Sequence, residues 1–458
     1  MSAVSEAGAA PGLYVHVPFC DRVCPYCDFA VQTGGPRQRD AYLRSLLQEI
    51  RCWADRGVGP TGSLGSASGC DPEALRWEPG QAFDSVYLGG GTPSSLSLDA
   101  LEQILAALRG GLPVAEDAEL TLEANPEDIS DHRLAAWRSL GVSRLSLGVQ
   151  SFDPAALDLL GRSHTPRQAI AAIERSMAAG FDAVSLDLIF AVPGQTVASW
   201  EASLQRAVEL RPHHISCYEL TVHPGTRFFR ARQRGGFLEV SEDHKAEQFF
   251  VTHRFLAAAG YPAYEVSNFA RRPEFRSRHN AKYWDHTAYL GLGPSAHSYD
   301  GRHQRWWNEP RLIDWQSALD GAGSGVLEVE TLTPEQRVLE ALALGLRTTA
   351  GVDLEHMAGL YGIDLRPSNA TLVESLAERG LLEGGSGQRL VPTLEGLALA
   401  DTLAAAFEIP TGADKASTGP DKVSTGADEV PSSAKRASAR ASGIDATWRG
   451  AVLGGNRP

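Results

Sequence analysis

The chain is poor in cysteine, short of positive charge and lacks any long apolar run, and each shortage removes a class of protein. Six cysteines in 458 residues are too few for a disulfide framework. Three of them crowd into positions 20 to 27, a pattern that suits a reducing cytoplasm and a local metal site. Cys52, Cys70 and Cys217 are scattered and read as ordinary. With 42 Lys and Arg against 56 Asp and Glu, the formal charge is −14. That charge opposes contact with nucleic acid or an anionic membrane face through a general basic field, so an anionic ligand needs a local site. No apolar stretch approaches the ~18 residues of a membrane span. The opening "MSAVSEAGAAPG" has neither the basic start nor the apolar segment of a secretion signal. What remains is a soluble globular composition, 43% hydrophobic and 21% charged, in a chain long enough for two or three packed domains.

Six short β-rich runs punctuate the first half: "LYVHV" (13 to 17), "SVYL" (85 to 88), "ELTLE" (119 to 123), "RLSLGV" (144 to 149), "VSLDLIF" (184 to 190) and "HISCYEL" (214 to 220). Helical patterns separate them, at 40 to 54, 99 to 111 and 165 to 180 among others. The last has Thr165 as N-cap, Pro166 at the first helical position and Gly180 as its stop. Strand–helix alternation implies parallel βαβ units. The unusual residues fall at or just past the C-terminal ends of these strands, which is where a (β/α) barrel carries its site. The expected fold is therefore α/β, an incomplete six-unit barrel over 12 to 235, with an open doubly wound sheet as the alternative. The Gly-, Ser- and Pro-rich stretch 56 to 80 reads as an exposed insertion, and residues 1 to 11 as a flexible N-terminus.

Residues 236 to 330 read as an extension of the barrel. From 331 to 409 the pattern changes to helices followed by "LLEGGSGQRLVPT", a hairpin with a glycine-rich turn, which suggests a winged-helix-like α+β module. Eleven acidic and five basic residues between 331 and 410 speak against DNA binding and for a packing or partner role. Residues 410 to 458 open with a threefold heptad, "TGADKAS", "TGPDKVS", "TGADEVP", and read as a disordered low-complexity tail.

Cys20, Cys24 and Cys27 follow the first strand in a loop stiffened by Pro18 and Pro25. Three thiolates could join His16 or Asp28 around zinc, but structural zinc usually takes paired C-x2-C units. An iron–sulfur cubane normally takes four Cys, so three leave one iron open. The C-x3-C-x2-C spacing, with Tyr26 before the third cysteine, resembles the radical S-adenosylmethionine (SAM) superfamily. That resemblance implies a [4Fe–4S] cluster whose open iron chelates SAM, and an electron donor to reduce it.

"LGGGTPSSL" (88 to 96) follows the second strand, where glycines let backbone approach a ligand. It looks like the family's element for the SAM amino group, carried by Gly90, Gly91 and Thr92. Glu123 in "TLEANPE", Gln150 in "SLGVQSF", Arg162 in "LLGRSH", Asp187 in "SLDLIFAVPGQT" and Tyr14 in "LYVHVPFC" match SAM-binding positions of the coproporphyrinogen-oxidase-like branch, as Tyr26 does in the cysteine loop. Carboxylates and an amide suit ribose hydroxyls or amines, and Arg suits a carboxylate.

Two features narrow the branch. Oxygen-independent coproporphyrinogen III oxidases carry a fourth cysteine two positions after the third, where this chain has Phe29, and a long segment before the barrel, whereas here the first strand begins at Leu13. "HNAKYW", with His279, Asn280, Tyr283 and Trp284, resembles the signature of HemW-type haem chaperones. That resemblance implies haem as ligand, haem-accepting proteins as partners, and those four residues as the haem-site candidates. His297 in "PSAHSY" is a further candidate ligand. Read without the family, Tyr283 and Trp284 are core aromatics and His279 a locally bonded residue.

Overall fold

The computed structural model describes residues 9–55, 81–237, 239–384 and 387–410. The insertion at 56 to 80 and the tail beyond 410 lie outside the described residues. Ala10 and Pro11, expected within a flexible terminus, are held: Pro11 is buried and Lys282 Nζ donates to the Ala10 carbonyl at 2.6 Å.

The six runs form β1 (Gly12–Val17), β2 (Phe83–Gly90), β3 (Val114–Ala124), β4 (Arg144–Gln150), β5 (Ala183–Phe190) and β6 (His214–Glu219). Their pairing is parallel and sequential, β1 to β6, without the reversal of order that marks a doubly wound sheet. Helices α1 (Pro36–Asp55), α2 (Leu98–Gly111), α3 (Asp131–Ser139), α4 (Pro154–Leu159), α5 (Pro166–Ala178) and α6 (Val197–Glu209) cross between them. Thr165 caps α5 in a capping box with Gln168, Pro166 follows in the first turn, and Gly180 takes φ +78° just past its end, where only Gly is unstrained.

The wall is wider than six strands. After α7 (Arg227–Gln233) and α8 (Glu242–Ala258), β7 (Asn268–Ala270) joins β6 antiparallel. After α9 (Arg278–Trp284), β8 (Tyr289–Leu292) joins β1 parallel, and β9 (His297–Tyr299), β10 (Gln304–Asn308) and β11 (Val326–Thr331) continue antiparallel beyond it. α10 (Leu312–Ala322) lies between the last two. Side chains from β1 to β6 all face one cavity, so the sheet is rolled, yet β7 and β11 are its ends and do not pair with each other.

A second apolar core, with Val338, Leu342, Leu376, Leu390 and Phe407, belongs to the C-terminal residues. It is built by α11 (Pro334–Gly345), α12 (Leu354–Tyr361), α13 (Arg366–Glu378), α14 (Leu394–Ala398) and α15 (Ala400–Ala406), with a two-stranded sheet of β12 (Val352–Asp353) and β13 (Arg389–Leu390). The 381 to 393 stretch folds back on itself through the Leu382–Pro392 bridge. Val266 N–H to the Arg347 carbonyl (2.9 Å) and Thr349 N–H to the Tyr264 carbonyl (3.2 Å) stitch this unit to the barrel.

Candidate metal and cofactor centre

A cavity of about 510 Å³ occupies the barrel lumen and opens at the C-terminal ends of the strands. Cys20, Cys24 and Cys27 line it, together with Tyr14, Tyr26, Gly90, Gly91, Thr92, Glu123, Gln150, Arg162 and Asp187. Residues spread over 174 positions of chain, from Tyr14 to Asp187, thus share one space.

The cysteine loop is anchored at its ends by Cys20 N–H to the Gln32 carbonyl (3.0 Å) and Gln32 N–H to the Pro18 carbonyl (2.7 Å). The three thiols are free and part-buried. Burial pushes the Cys20 thiol up to about 11 and Cys27 to about 12, so bound iron would displace protons that desolvation otherwise retains. Among the described residues, no three Cys, His, Asp or Glu side chains converge on a single-ion site, and the two residues that could complete zinc are engaged. His16 bonds Tyr14 Oη (3.1 Å) and the Ala30 carbonyl (3.0 Å), and Asp28 pairs with His223 at 3.4 Å. Three thiols on one loop facing the cavity suit a cluster held at its corners.

Gly90 and Gly91 are required by close approach. Gly90 has φ +101° and a Cβ there would lie 2.5 Å from the His16 ring, while one on Gly91 would meet the Phe19 and Val17 carbonyls at 2.6 and 2.7 Å. The N–H groups of this turn are all used: Gly90 on Glu123 Oε2 (3.1 Å), Gly91 on the Val17 carbonyl and Thr92 on the Phe19 carbonyl. What the turn offers a ligand is carbonyl oxygen, the right partner for an ammonium group. Thr92 Oγ1 also reaches Cys20 Sγ at 3.5 Å.

Glu123, at the end of β3, accepts from Tyr87 Oη (2.8 Å), and burial raises its pKa to about 7, with the nearby Asp187 adding to the shift. Asp187 accepts from Ser146 Oγ at 2.9 and 3.1 Å, and burial raises it too. Arg162 donates to the Gly148 carbonyl (2.9 Å) and Asn125 Oδ1 and lies 3.6 Å from Cys24 Sγ. Gln150 ends β4 at φ +65°, a left-handed conformation costly for a residue with a Cβ and typical of constrained sites.

Sequence reasoning missed Asn125, Tyr87 and Tyr218, all lining this cavity. Asn125 had a signal, since it sits two residues after Glu123 at the same strand end. Tyr87 could have been found by alternation, two positions before the glycines on the lumen face of β2.

The HNAKYW helix, α9, lies at the opposite, N-terminal end of the lumen. His279 is 1% exposed, with Nδ1 on Ser85 Oγ (3.2 Å) and Nε2 on Tyr283 Oη (3.0 Å). Burial, then the Lys282 charge, lowers its pKa to about 3. Asn280 and Tyr283 line the cavity with it, as does His297, but Trp284 does not. The expected foursome is thus split, with Trp284 outside the lining of the cavity. Both ring nitrogens of His279 are hydrogen-bonded, the local bonding that the hexapeptide suggests without its family.

The radical SAM superfamily profile matches residues 71–207 and the HemN C-terminal domain profile residues 332–399. The "Heme chaperone HemW" of Bacillus subtilis is 33% identical over 86% of this chain and 98% of its own length. Its namesake in Mycobacterium tuberculosis is 35% identical over 86% and 93%, and that of Escherichia coli 36% over 67% and 78%. Among solved structures, coproporphyrinogen III oxidase (HemN) from Escherichia coli, a radical SAM enzyme, superposes with a TM-score of 0.70 at 24% identity, covering 86% of this chain and 89% of that one. This likeness shows a shared fold. The chain is a member of the radical SAM superfamily, which implies a [4Fe–4S] cluster and SAM. Within it, the chain belongs to the HemW family.

Proposed function

We propose that the protein is a cytoplasmic haem chaperone that binds haem and passes it to acceptor proteins, while holding a [4Fe–4S] cluster on Cys20, Cys24 and Cys27 and SAM beside it. The observation that carries the reading is the match, along almost their whole length, to relatives named as haem chaperones. Phe29 in the fourth cysteine's place supports the same branch. The SAM amino group is assigned to the carbonyls of the Gly90–Thr92 turn, its carboxylate to Arg162, and its ribose to Gln150 and Asp187. Glu123, Tyr14 and Tyr26 shape the walls. Cys20, Cys24 and Cys27 would hold the cluster beside that site, and once reduced it would supply an electron to a bound sulfonium.

Haem is assigned to a position other than an iron bond to His279, because that bond would have to displace Ser85 or Tyr283 inside a closed floor. Incubation without oxygen with SAM, reductant and coproporphyrinogen III should give no protoporphyrinogen by chromatography, while haemin should titrate to a saturable Soret shift and move to an apo-acceptor. Porphyrinogen turnover would make the protein an oxidase instead. Cys24→Ala should lose iron, sulfide and the broad visible absorption, since two thiolates cannot hold three irons. Zinc in place of iron in the wild type would sink the cluster assignment.

A further inference from the structure

Beside the cysteine loop an acidic chain presents a patch of the opposite sign. Residues 221 to 236 contain four arginines and no carboxylate. Arg227, Arg230 and Arg234 recur at i, i+3 and i+7 along α7 and its C-cap, which places them on one face of the helix, and all three are exposed. Arg232 lies off this face and is paired with Glu239. Among the described residues, the three arginines of the stripe have no carboxylate partner.

The face of α7 that turns away from solvent fixes where the stripe stands. Phe228 N–H donates to the Pro25 carbonyl at 3.0 Å, and its ring lies 6.5 Å from that of Tyr26. Pro25 and Tyr26 are the two residues between Cys24 and Cys27. The loop after β6 adds a second link, His223 on Asp28. Arg22, between Cys20 and Cys24, is exposed as well and donates to the Gly161 carbonyl. The arginines are therefore mounted on the back of the same loop that carries the thiols.

We propose that this stripe is the docking surface for an acidic one-electron carrier protein that reduces the cluster. The inference rests on the cluster assignment made above. A chain of net charge −14 repels an acidic partner on average, so a local basic stripe favours both that partner and the orientation in which it arrives. The docked carrier gives up one electron and is oxidised by one electron, and the cluster takes it up. No atom is transferred.

The test is calorimetric titration of a purified flavodoxin, an acidic flavoprotein carrier, into the iron-loaded chain under argon. Binding should be saturable and should weaken as salt is raised. R227E/R230E/R234E should lower the affinity about tenfold or more. R51E/R175E/R379E, the same charge change at exposed positions elsewhere, should leave it near the wild-type value. Iron content and reduction by dithionite should be equal in all three. Absence of iron from the wild type would defeat the cluster assignment, whereas the titration reads docking directly. No binding by the wild type, or equal losses in both reversed variants, overturns the proposal. So does a stripe variant that keeps the carrier but loses haemin, which would make the arginines propionate anchors. Should charge reversal unfold the chain, R227Q/R230Q/R234Q removes the attraction without adding repulsion and must show the same order of affinities.

Discussion

At the scale of single residues, Gly90 and His279 make opposite demands on the lumen. Gly90 holds the turn against His16 by having no side chain, and its φ of +101° adds a backbone reason. Gly90→Ala should cost about 1–3 kcal/mol and lower the iron bound per chain, because the displaced His16 ring borders the cysteine loop. Gly110→Ala, in open space on α2, should leave the iron content unchanged and raise stability by about 0.4–1 kcal/mol. His279 fills its place and satisfies two hydroxyls, so His279→Ala should cost about 1–3 kcal/mol in urea melts. It should leave haemin affinity, read at the Soret band, unchanged. A selective loss of haemin binding at unaltered stability would restore His279 as a ligand. The grouping of the cysteines was legible because their spacing is local, whereas Glu123, Gln150 and Asp187 were singled out by the resemblance of their local motifs and share the cavity because each ends or lines a strand. The setting of His279 was not legible. Its hydrogen-bond partner Ser85 is far away in sequence, and a hexapeptide does not disclose at which end of a barrel it lies.

At the scale of elements, the widening of the wall depends on a carboxylate that sequence reading passes over. Glu49 sits on α1, where a charged residue in an amphipathic pattern reads as solvated, yet it is 2% exposed. Its Oε2 accepts from Gly293 N–H at 2.7 Å, and its Oε1 from Asn308 Nδ2 at 2.7 Å and Trp315 Nε1 at 3.4 Å. One side chain thus joins α1 to the residue after β8, to β10 and to α10. Glu49→Ala would leave the Gly293 and Trp315 N–H groups without partners, and one hydrogen of the Asn308 amide, whose nitrogen keeps the Gly293 carbonyl, for a loss on the order of 3 kcal/mol. Glu49→Gln, which keeps one carbonyl acceptor, should lose less. A melting curve with equal, small losses for both would show that water replaces the carboxylate. The six sequential strands were readable from alternation, whereas β7 and β9 are three residues each, too short to carry a period. β8, "YLGL", is only four residues long.

At the scale of the whole molecule, the buried ionisable groups set how stability follows pH. Burial lowers His16, His253 and His297 to about 4 and His279 to about 3, against about 6.5 unfolded. Burial lowers His213 and His214 too, so as pH falls below about 6.5 the unfolded chain takes up protons at six histidines that the folded chain refuses. Glu123 and Glu265 act in the other direction, raised to about 7 by burial, as do Asp128, Asp187 and Asp285, which burial also raises. With six histidines on one side, stability should fall toward acid. Well above pH 7 the histidines are neutral in both states and only the carboxylates count, so stability should decline as pH rises beyond that point. A maximum close to neutral pH is expected from urea midpoints of the cluster-free chain. In His279→Ala the acid limb should be shallower by about 1.4 kcal/mol per unit, since one of the refused protons is gone. An acid limb of unchanged slope in that variant would mean that the imidazole is already protonated in the fold, and with it would go the floor assigned to α9.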